Sequence, residues 1–545
     1  MDINQLVPLF NTPVRREAFS GLLNDKDVKN IFLEGLQGSS VALFLSNLLQ
    51  TRTSLIIAND SDEAGYLYHD LIQINGDENI LMFPSGYKRD IKYGQIDPPC
   101  EIMRTEVLNR LSRQQSPLLI VTCPEALAEK VVDEKMLAHK TLHIGKSRKI
   151  ENTVVTDKLR EYGFQEVDYV YEPGQFSVRG SILDVFSYSN EWPYRIDFFG
   201  DDVESIRTFD VETQLSKEQL EEVYIISNVS KDEENGISLL DFIDKNTVIA
   251  TKDIAWITER VSGIAGESIS EQVIIAEEGD KDALKKIVDP DSFKNKILKF
   301  KRIDYGKRCL AKAPSIIRFE CAPQGIYHKN FQLVSESFTD FLRQGYTIYI
   351  LSDSEKQTER LKAIFEERED HITFIPVLKT LHEGFVDKDL KVCFFTDHQI
   401  FDRFHKYNLK SDRARSGKLA LSLKELNQIE VGDYIVHVDH GIGRFGGLIR
   451  TEINGKMQEV IKLTYQNDDI IFVSIHALHK LAKYRAKEGE APRINKLGSG
   501  AWERMKERTK TKMKDIARDL IKLYASRREE KGFAFSPDSF LQQEL

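Results

Sequence analysis

Residues 30–45 constrain the fold more than any other stretch. An apolar run, Asn30-Ile31-Phe32-Leu33, is followed by a turn carrying Gly35 and Gly38, and then by a second apolar run, Val41-Ala42-Leu43-Phe44-Leu45. Strand, glycine turn and helix in that order recur, with Ser54-Leu55-Ile56-Ile57-Ala58 and Leu118-Leu119-Ile120-Val121-Thr122 as further buried strands. The first ~130 residues therefore read as a parallel α/β domain. A phosphate-binding loop would stand between this first strand and its helix, as Gly-x-x-x-x-Gly-Lys-Ser/Thr, where backbone N–H groups cradle phosphates and the lysine neutralises them. The place is right and the chemistry is missing: Ser40 replaces the second glycine, Val41 the lysine and Ala42 the hydroxyl residue. Gly35, Gly38, Ser39, Ser40, Val41 and Ala42 are thus expected to form a degenerate phosphate loop, a tight turn without a ligand, and no intact loop of this kind occurs elsewhere in the sequence.

The hydrophobic period then changes. Ser181-Ile182-Leu183-Asp184-Val185-Phe186 and Tyr194-Arg195-Ile196-Asp197-Phe198-Phe199 alternate with period two, and Gly180 and Gly200-Asp201-Asp202 mark turns, which predicts a small antiparallel insertion. Thr347-Ile348-Tyr349-Ile350-Leu351-Ser352 and Val392-Cys393-Phe394-Phe395-Thr396, with a helix over Lys356 to Glu367 between them, read as a second α/β unit. Further on, Gly432-Asp433-Tyr434-Ile435-Val436-His437, Glu459-Val460-Ile461-Lys462-Leu463-Thr464-Tyr465 and Ile470-Ile471-Phe472-Val473 are short strands with glycine turns, as in a small barrel. Pro492 to Gly500 reads as a linker. Met513, Ile516, Ala517, Leu520, Leu523 and Tyr524 then fall at helical spacing. With 545 residues, about three to five domains are expected.

Lys plus Arg total 76 and Asp plus Glu 86, so the net charge of −10 gives no global pull toward nucleic acid. Locally, residues 501–531 hold eleven Lys/Arg against six Asp/Glu. That helix either tracks DNA phosphates or lays its apolar stripe on a further domain, and the continuity of the stripe favours packing. Cys100, Cys123, Cys309, Cys321 and Cys393 show no C-x-x-C pair, which argues against a disulfide framework or a zinc cluster, and His437 with His440 lacks a third ligand. No metal site and no catalytic triad or carboxylate pair is expected. Met1-Asp2-Ile3-Asn4 lacks the pattern of a secretory signal, and no run of about 18 apolar residues appears. A cytoplasmic chain without a membrane partner is the expectation.

Gly174-Gln175-Phe176-Ser177-Val178-Arg179-Gly180-Ser181-Ile182-Leu183-Asp184-Val185-Phe186, with Arg195 to Asp210, resembles the UvrA-binding domain of the excision-repair protein UvrB. Gly432 to His437, His440-Gly441-Ile442-Gly443-Arg444-Phe445 and Leu463-Thr464-Tyr465 look like the RNA-polymerase-interacting domain of the CarD regulators. Both elements, in this order, together with Thr396-Asp397-His398-Gln399-Ile400-Phe401, Leu497 to Trp502 and Gly532-Phe533-Ala534-Phe535, resemble the bacterial transcription-repair coupling factors.

The resemblance implies a multidomain α/β and β chain. Residues 1–132 are a UvrB-like, P-loop-derived parallel α/β domain, 133–212 an inserted antiparallel α+β UvrA-binding domain, and 213–325 the remainder of the body. Residues 326–412 form a second small α/β domain, 413–427 a linker, 428–487 a CarD-like module with an SH3/Tudor-like barrel, and 488–545 a linker and long basic helix. In that family the chain continues into an ATP- and Mg-dependent DNA translocase. This chain stops at Leu545, about where the motor should begin, so it is expected to be an adaptor without enzyme activity or cofactor of its own. The alternative is a nucleotide-hydrolysing DNA-remodelling enzyme with a rescued phosphate site.

The implied partners are UvrA and the RNA polymerase β subunit, with double-stranded DNA bound weakly if at all through 501–531. The implied UvrA-binding residues are Gln165, Phe176, Arg179, Arg195 and Asp197. Arg179 either forks onto a partner carboxylate or pairs internally with Asp197 or Asp184, and Phe176 is interface or core. Asp197 either accepts from a partner arginine or caps the sheet face beside Arg195. Val460, Ile461, Lys462 and Leu463 are the expected polymerase contacts, on the premise that their strand offers an open edge. The stretch Gly86 to Arg104 is short where UvrB carries a long damage-probing hairpin, and Ser177 stands where a basic residue is usual, so UvrA contact should lean on Arg179 and Asp197.

Overall fold

The computed structural model describes residues 1–86, 98–113, 116–146, 149–211, 214–229, 236–275, 287–403, 429, 431–453, 456–474, 481–484, 492–498 and 500–509. These form two compact units that part near residue 415.

The first unit is built on a seven-stranded sheet in the order Ser315–Arg318, Asn30–Glu34, Lys301–Asp304, Val248–Thr251, Ser54–Ile57, Leu119–Thr122 and Ile80–Phe83, with every neighbouring pair parallel. The Ser54–Ile57, Ile80–Phe83, Leu119–Thr122 and Val248–Thr251 strands are buried along their whole length, as strands covered on both faces must be. Helix starts are fixed by side-chain oxygens. Asp60 accepts from the Glu63 amide at 2.8 Å at the head of Ser61–Asn75, and Asp289 caps Pro290–Ile297 ahead of its first-turn proline. Phe10, Phe19, Phe44, Phe319 and Phe385 meet at ring separations of 4.8–6.2 Å under this sheet.

The chain leaves the body after Leu119–Thr122 and returns to it before Val248–Thr251. Between them lies a six-stranded sheet in the order Ser216–Leu220, Asp202–Phe209, Tyr194–Phe199, Ile182–Val185, Gln175–Arg179, Gln165–Glu166. The helix Asn152–Glu161 supplies Val155 and Leu159 to the cluster that also holds Phe176, Leu183, Ile196 and Ile206. The antiparallel pair Thr141–Gly145 and Glu222–Ile226 forms the neck of the insertion. The inserted sheet thus runs past the boundary at 212 read from sequence, because Ser216–Leu220 pairs with Asp202–Phe209.

The second α/β element has a mixed five-stranded sheet, Cys321–Pro323, Phe385–Asp387, Val392–Thr396, Thr347–Ser352, Ile375–Leu378, with helices Phe331–Arg343 and Glu355–Glu367. It is joined to the body by an ion pair of Arg15 with the fully buried Asp387 at 2.7 Å, and by main-chain pairing of Met1 with Leu378.

The second unit is a five-stranded antiparallel sheet, Ile470–Ser474, Lys456–Thr464, Gly441–Ile453, Tyr434–His437, Leu481–Lys483. Among the described residues no pairing joins its two outer strands, and the long strand Gly441–Ile453 stands at the centre of the sheet. The 492–498 stretch, read as a free linker, is stitched to it: Asn495 exchanges main-chain and side-chain hydrogen bonds with Ile442 at 2.9 and 2.8 Å. Helical turns follow over 501–509, and Trp502 donates to the Val438 carbonyl at 2.8 Å. The linker 413–427 and the apolar stripe Met513 to Tyr524 lie outside the described residues, as does most of the Gly86 to Arg104 stretch.

Gly35 has φ +93°, and a Cβ there would sit 2.0 Å from the Phe319 carbonyl oxygen. Gly35→Ala is expected to cost more than about 1 kcal/mol, through both the left-handed backbone and the displaced edge strand, read as a lower urea midpoint.

Candidate functional site

Three places carry the chemistry singled out in the sequence: the outer face of the inserted sheet, the edge of the second unit's sheet, and the glycine loop.

On the inserted sheet, strand alternation sends Phe176, Leu183, Val185, Ile196 and Phe198 inward and Ser177, Arg179, Asp184, Arg195 and Asp197 outward. Phe176 is 0% exposed, so this expected contact residue belongs to the core. Asp184, 2% exposed, is the hub of the outer face. Arg195 grips it bidentately at 2.7 and 2.8 Å while lying over the Phe209 ring, and Arg179 pairs with it from the other side. Register explains this: Asp184 stands directly opposite both Ser177 and Arg195. Asp197 is engaged elsewhere, accepting from Arg207 at 2.6 Å and Ser205 at 2.8 Å. Arg195 and Asp197 are therefore held by internal pairs. Arg179 keeps a third of its side chain open to water, stacks 4.9 Å from the Tyr169 ring, and has a buried Nε with no hydrogen-bond partner among the described groups. Gln165 is exposed on the last strand of the sheet, its amide donating to the Gly174 carbonyl.

One residue of this face escaped the sequence reading. Phe199 shares outward parity with Arg195 and Asp197 and is 79% exposed at the hairpin tip. Its place as the last residue of an alternating strand before Gly200 was the available signal.

In the second unit, the strand Lys456–Thr464 is not an edge. It pairs with Gly441–Ile453 on one side and Ile470–Ser474 on the other, and Val460, Ile461 and Leu463 are fully buried. The expectation that residues 460–463 present an open edge is thereby corrected; only Lys462 is partly exposed. The edge belongs to Ile470–Ser474, where Ile470 and Phe472 are 45% and 48% exposed and Phe472 stands opposite Lys462. Outward aromatic and aliphatic side chains on a strand that, among the described residues, is paired on one side only are the elements of strand-addition recognition. His437 and His440 have ring centroids 4.6 Å apart, and among the described residues no group of three potential metal ligands occurs.

The glycine loop makes a tight turn, with Gly35 and Gly38 at φ +93° and +53°. The space in front of it holds the chain's own segment 382–384. The Ser39 amide donates to the Glu383 carbonyl at 3.1 Å, and the Glu383 amide donates to Ser39 Oγ at 2.9 Å. A Cβ at Gly38 would lie 3.1 Å from the Gly384 carbonyl oxygen. Behind the loop, Asp70 accepts from Ser39 Oγ at 2.5 Å and from the His382 amide at 2.7 Å. Burial pushes the Asp70 carboxyl up to about 7, with Glu383 adding to the rise and the two donors opposing it. These residues do not fit a triphosphate: the main chain of 382–384 takes the amide that a phosphate oxygen would use, and Val41 supplies no charge.

Comparison with known proteins finds family models over two of these regions. A UvrB interaction domain model fits residues 142–230, the neck and the inserted sheet, and a CarD-like/TRCF RID domain model fits 429–485, the second unit's sheet. The chain is therefore of a class that carries both domains on one polypeptide. It is similar to the transcription-repair-coupling factor of Bacillus subtilis (strain 168), 25% identical over 97% of this chain and 51% of the relative. Those of Staphylococcus aureus strains bovine RF122 / ET3-1 and MRSA252 are each 26% identical over 94% of this chain and 50% of their own length. The chain spans about half the length of the curated relatives it matches. Among the described residues no helix is long and apolar enough to cross a membrane.

Asp184→Ala leaves two arginines without their carboxylate. It is expected to destabilise the inserted domain by about 3 kcal/mol, the low end for a buried pair because Arg179 is partly solvated, measured by urea unfolding.

Proposed function

We propose that this chain is the N-terminal adaptor portion of a transcription-repair coupling factor, binding UvrA through its inserted sheet and the RNA polymerase β subunit through the Ile470–Ser474 edge. In the whole protein, these contacts would let displacement of a stalled polymerase at a lesion recruit excision repair. The observation that carries the reading is the pairing of a UvrB interaction domain with a CarD-like/TRCF RID domain on one chain, within an alignment to coupling factors that runs through nearly all of it.

Local geometry supports the assignment of surfaces. Arg179 has unsatisfied donor capacity, and Phe199 is a largely exposed aromatic ring of the same sheet face; both residue types suit an interface anchor. The polymerase-facing strand supplies main-chain hydrogen bonds along its outer edge, with Ile470 and Phe472 setting specificity. The glycine loop contributes neither nucleotide binding nor hydrolysis in this reading, no cofactor is required, and the chain works in the cytoplasm. Residues 501–531 contact DNA weakly if at all, the described turns over 501–509 being tied to the β module through Trp502.

A crossed binding experiment tests the proposal. Arg179→Glu and Phe199→Asp should each weaken UvrA binding at least about tenfold and leave polymerase β binding unchanged, whereas Phe472→Asp should do the reverse. Loss of both activities in each variant, or of neither, would refute the division of surfaces.

A further inference from the structure

The glycine loop makes a tight turn without the groups that bind phosphate, and its residues are engaged by another part of the same chain. We propose that the loop is a latch: Ser39 and Asp70 hold the 382–384 segment of the second α/β element in the cradle, and protonation of Asp70 tightens that hold while ionisation loosens it.

The geometry is reciprocal. Ser39 donates its amide to Glu383 and accepts the Glu383 amide on Oγ, so one residue satisfies both main-chain groups of its partner. Asp70 reaches both sides of the joint, taking the Ser39 hydroxyl on one oxygen and the His382 amide on the other. The segment is braced from behind: the Gly384 amide donates to Gln399 Oε1 at 2.7 Å, and His398 Nε2 lies 2.8 Å from the His382 carbonyl. The His382 ring stacks on Tyr66 at 3.6 Å. Gly384 is required, since a Cβ there would lie 1.9 Å from Gln324 Oε1.

The charge environment favours the neutral acid when the latch is shut. Asp70 is 3% exposed, and among the described residues no ion pair reaches it. The loop itself carries no charged side chain between Gly35 and Ala42. From its own helix, Tyr66 and His69 lie within one turn. From the latched segment come Glu383, which disfavours the anion, and His382, whose Nε2 is 3.9 Å from Glu383 Oε1. From the short helix Asp397–Ile400 come His398 and Asp397, the latter paired with Arg403.

The sign follows by linkage. The closed-state carboxyl titrates near 7 and the free one near 3.8, so the closed state holds the proton more tightly. The extra stability is complete below about pH 4, is lost as pH rises, and is gone above about pH 7. Both protonation states keep hydrogen bonds to Ser39 and His382, so ionisation loosens the joint without abolishing it.

Hydrogen exchange of the full chain tests this, with rates corrected for intrinsic pH dependence and the amides of Leu55 and Ile56 in the body sheet as internal reference. Protection of the Ser39, His382 and Glu383 amides should fall on the order of tenfold between pH 5.5 and 8.5 in the wild type and stay flat in Asp70→Asn, which mimics the neutral acid. In Ser39→Ala, loss of a donor to the carboxylate should move the midpoint of the response to higher pH, and His382→Gln should leave the response in place. A flat wild-type profile, an unchanged response in Asp70→Asn, an unmoved midpoint in Ser39→Ala, or a response that vanishes with His382 would each overturn the proposal.

Discussion

The parallel pairing of Asn30–Glu34 with Lys301–Asp304 on one side and Ser315–Arg318 on the other is the constraint on which the first unit depends. A strand near the start of the chain is held by two strands far downstream, and between them the chain adds four strands to the same sheet and makes one long excursion, between Leu119–Thr122 and Val248–Thr251. The excursion holds the stretch that the UvrB interaction domain model matches, and the Thr141–Gly145 and Glu222–Ile226 pair closes its neck. The same pairing sets the glycine loop at the C-terminal end of Asn30–Glu34, where such sheets usually bind ligands. Here the facing side is taken by the second α/β element, and the ligand position is filled from within the chain.

Polar groups divide between scaffold and surface in the inserted domain according to register. Asp184 neutralises two arginines on a face that is otherwise outward, and so rigidifies the strands that would present Arg179 and Phe199. Removing the carboxylate would affect the fold before it affected any partner. The residues that remain available are those at strand ends, where the ladder runs out of internal partners.

The sequence was most legible where periodicity is strong. The parallel strands of the body, the alternating strands Ile182–Val185 and Tyr194–Phe199, and the Thr347–Ser352 and Val392–Thr396 strands all follow from their apolar patterns. The missing lysine at Val41 was equally plain. What failed was neighbourhood. Lys456–Thr464 alternates like an edge strand, but whether a strand has one neighbour or two is a tertiary property, and Ile470–Ser474 covers it. Phe176 and Arg179 lie in one strand, and only the packing of Asn152–Glu161 decides that the first points in. The filling of the glycine loop by residues 382–384 had no local signal, because the partners are separated by more of the chain than any motif spans.

The most direct test of the central claim is whether one chain holds both partners at once, measured by light scattering on complexes separated by size with UvrA, a polymerase β fragment and this protein mixed. The account predicts a ternary species larger than either binary complex, formed without added nucleotide. Two binary complexes that compete, or a ternary species that appears only when ATP is present, would contradict it.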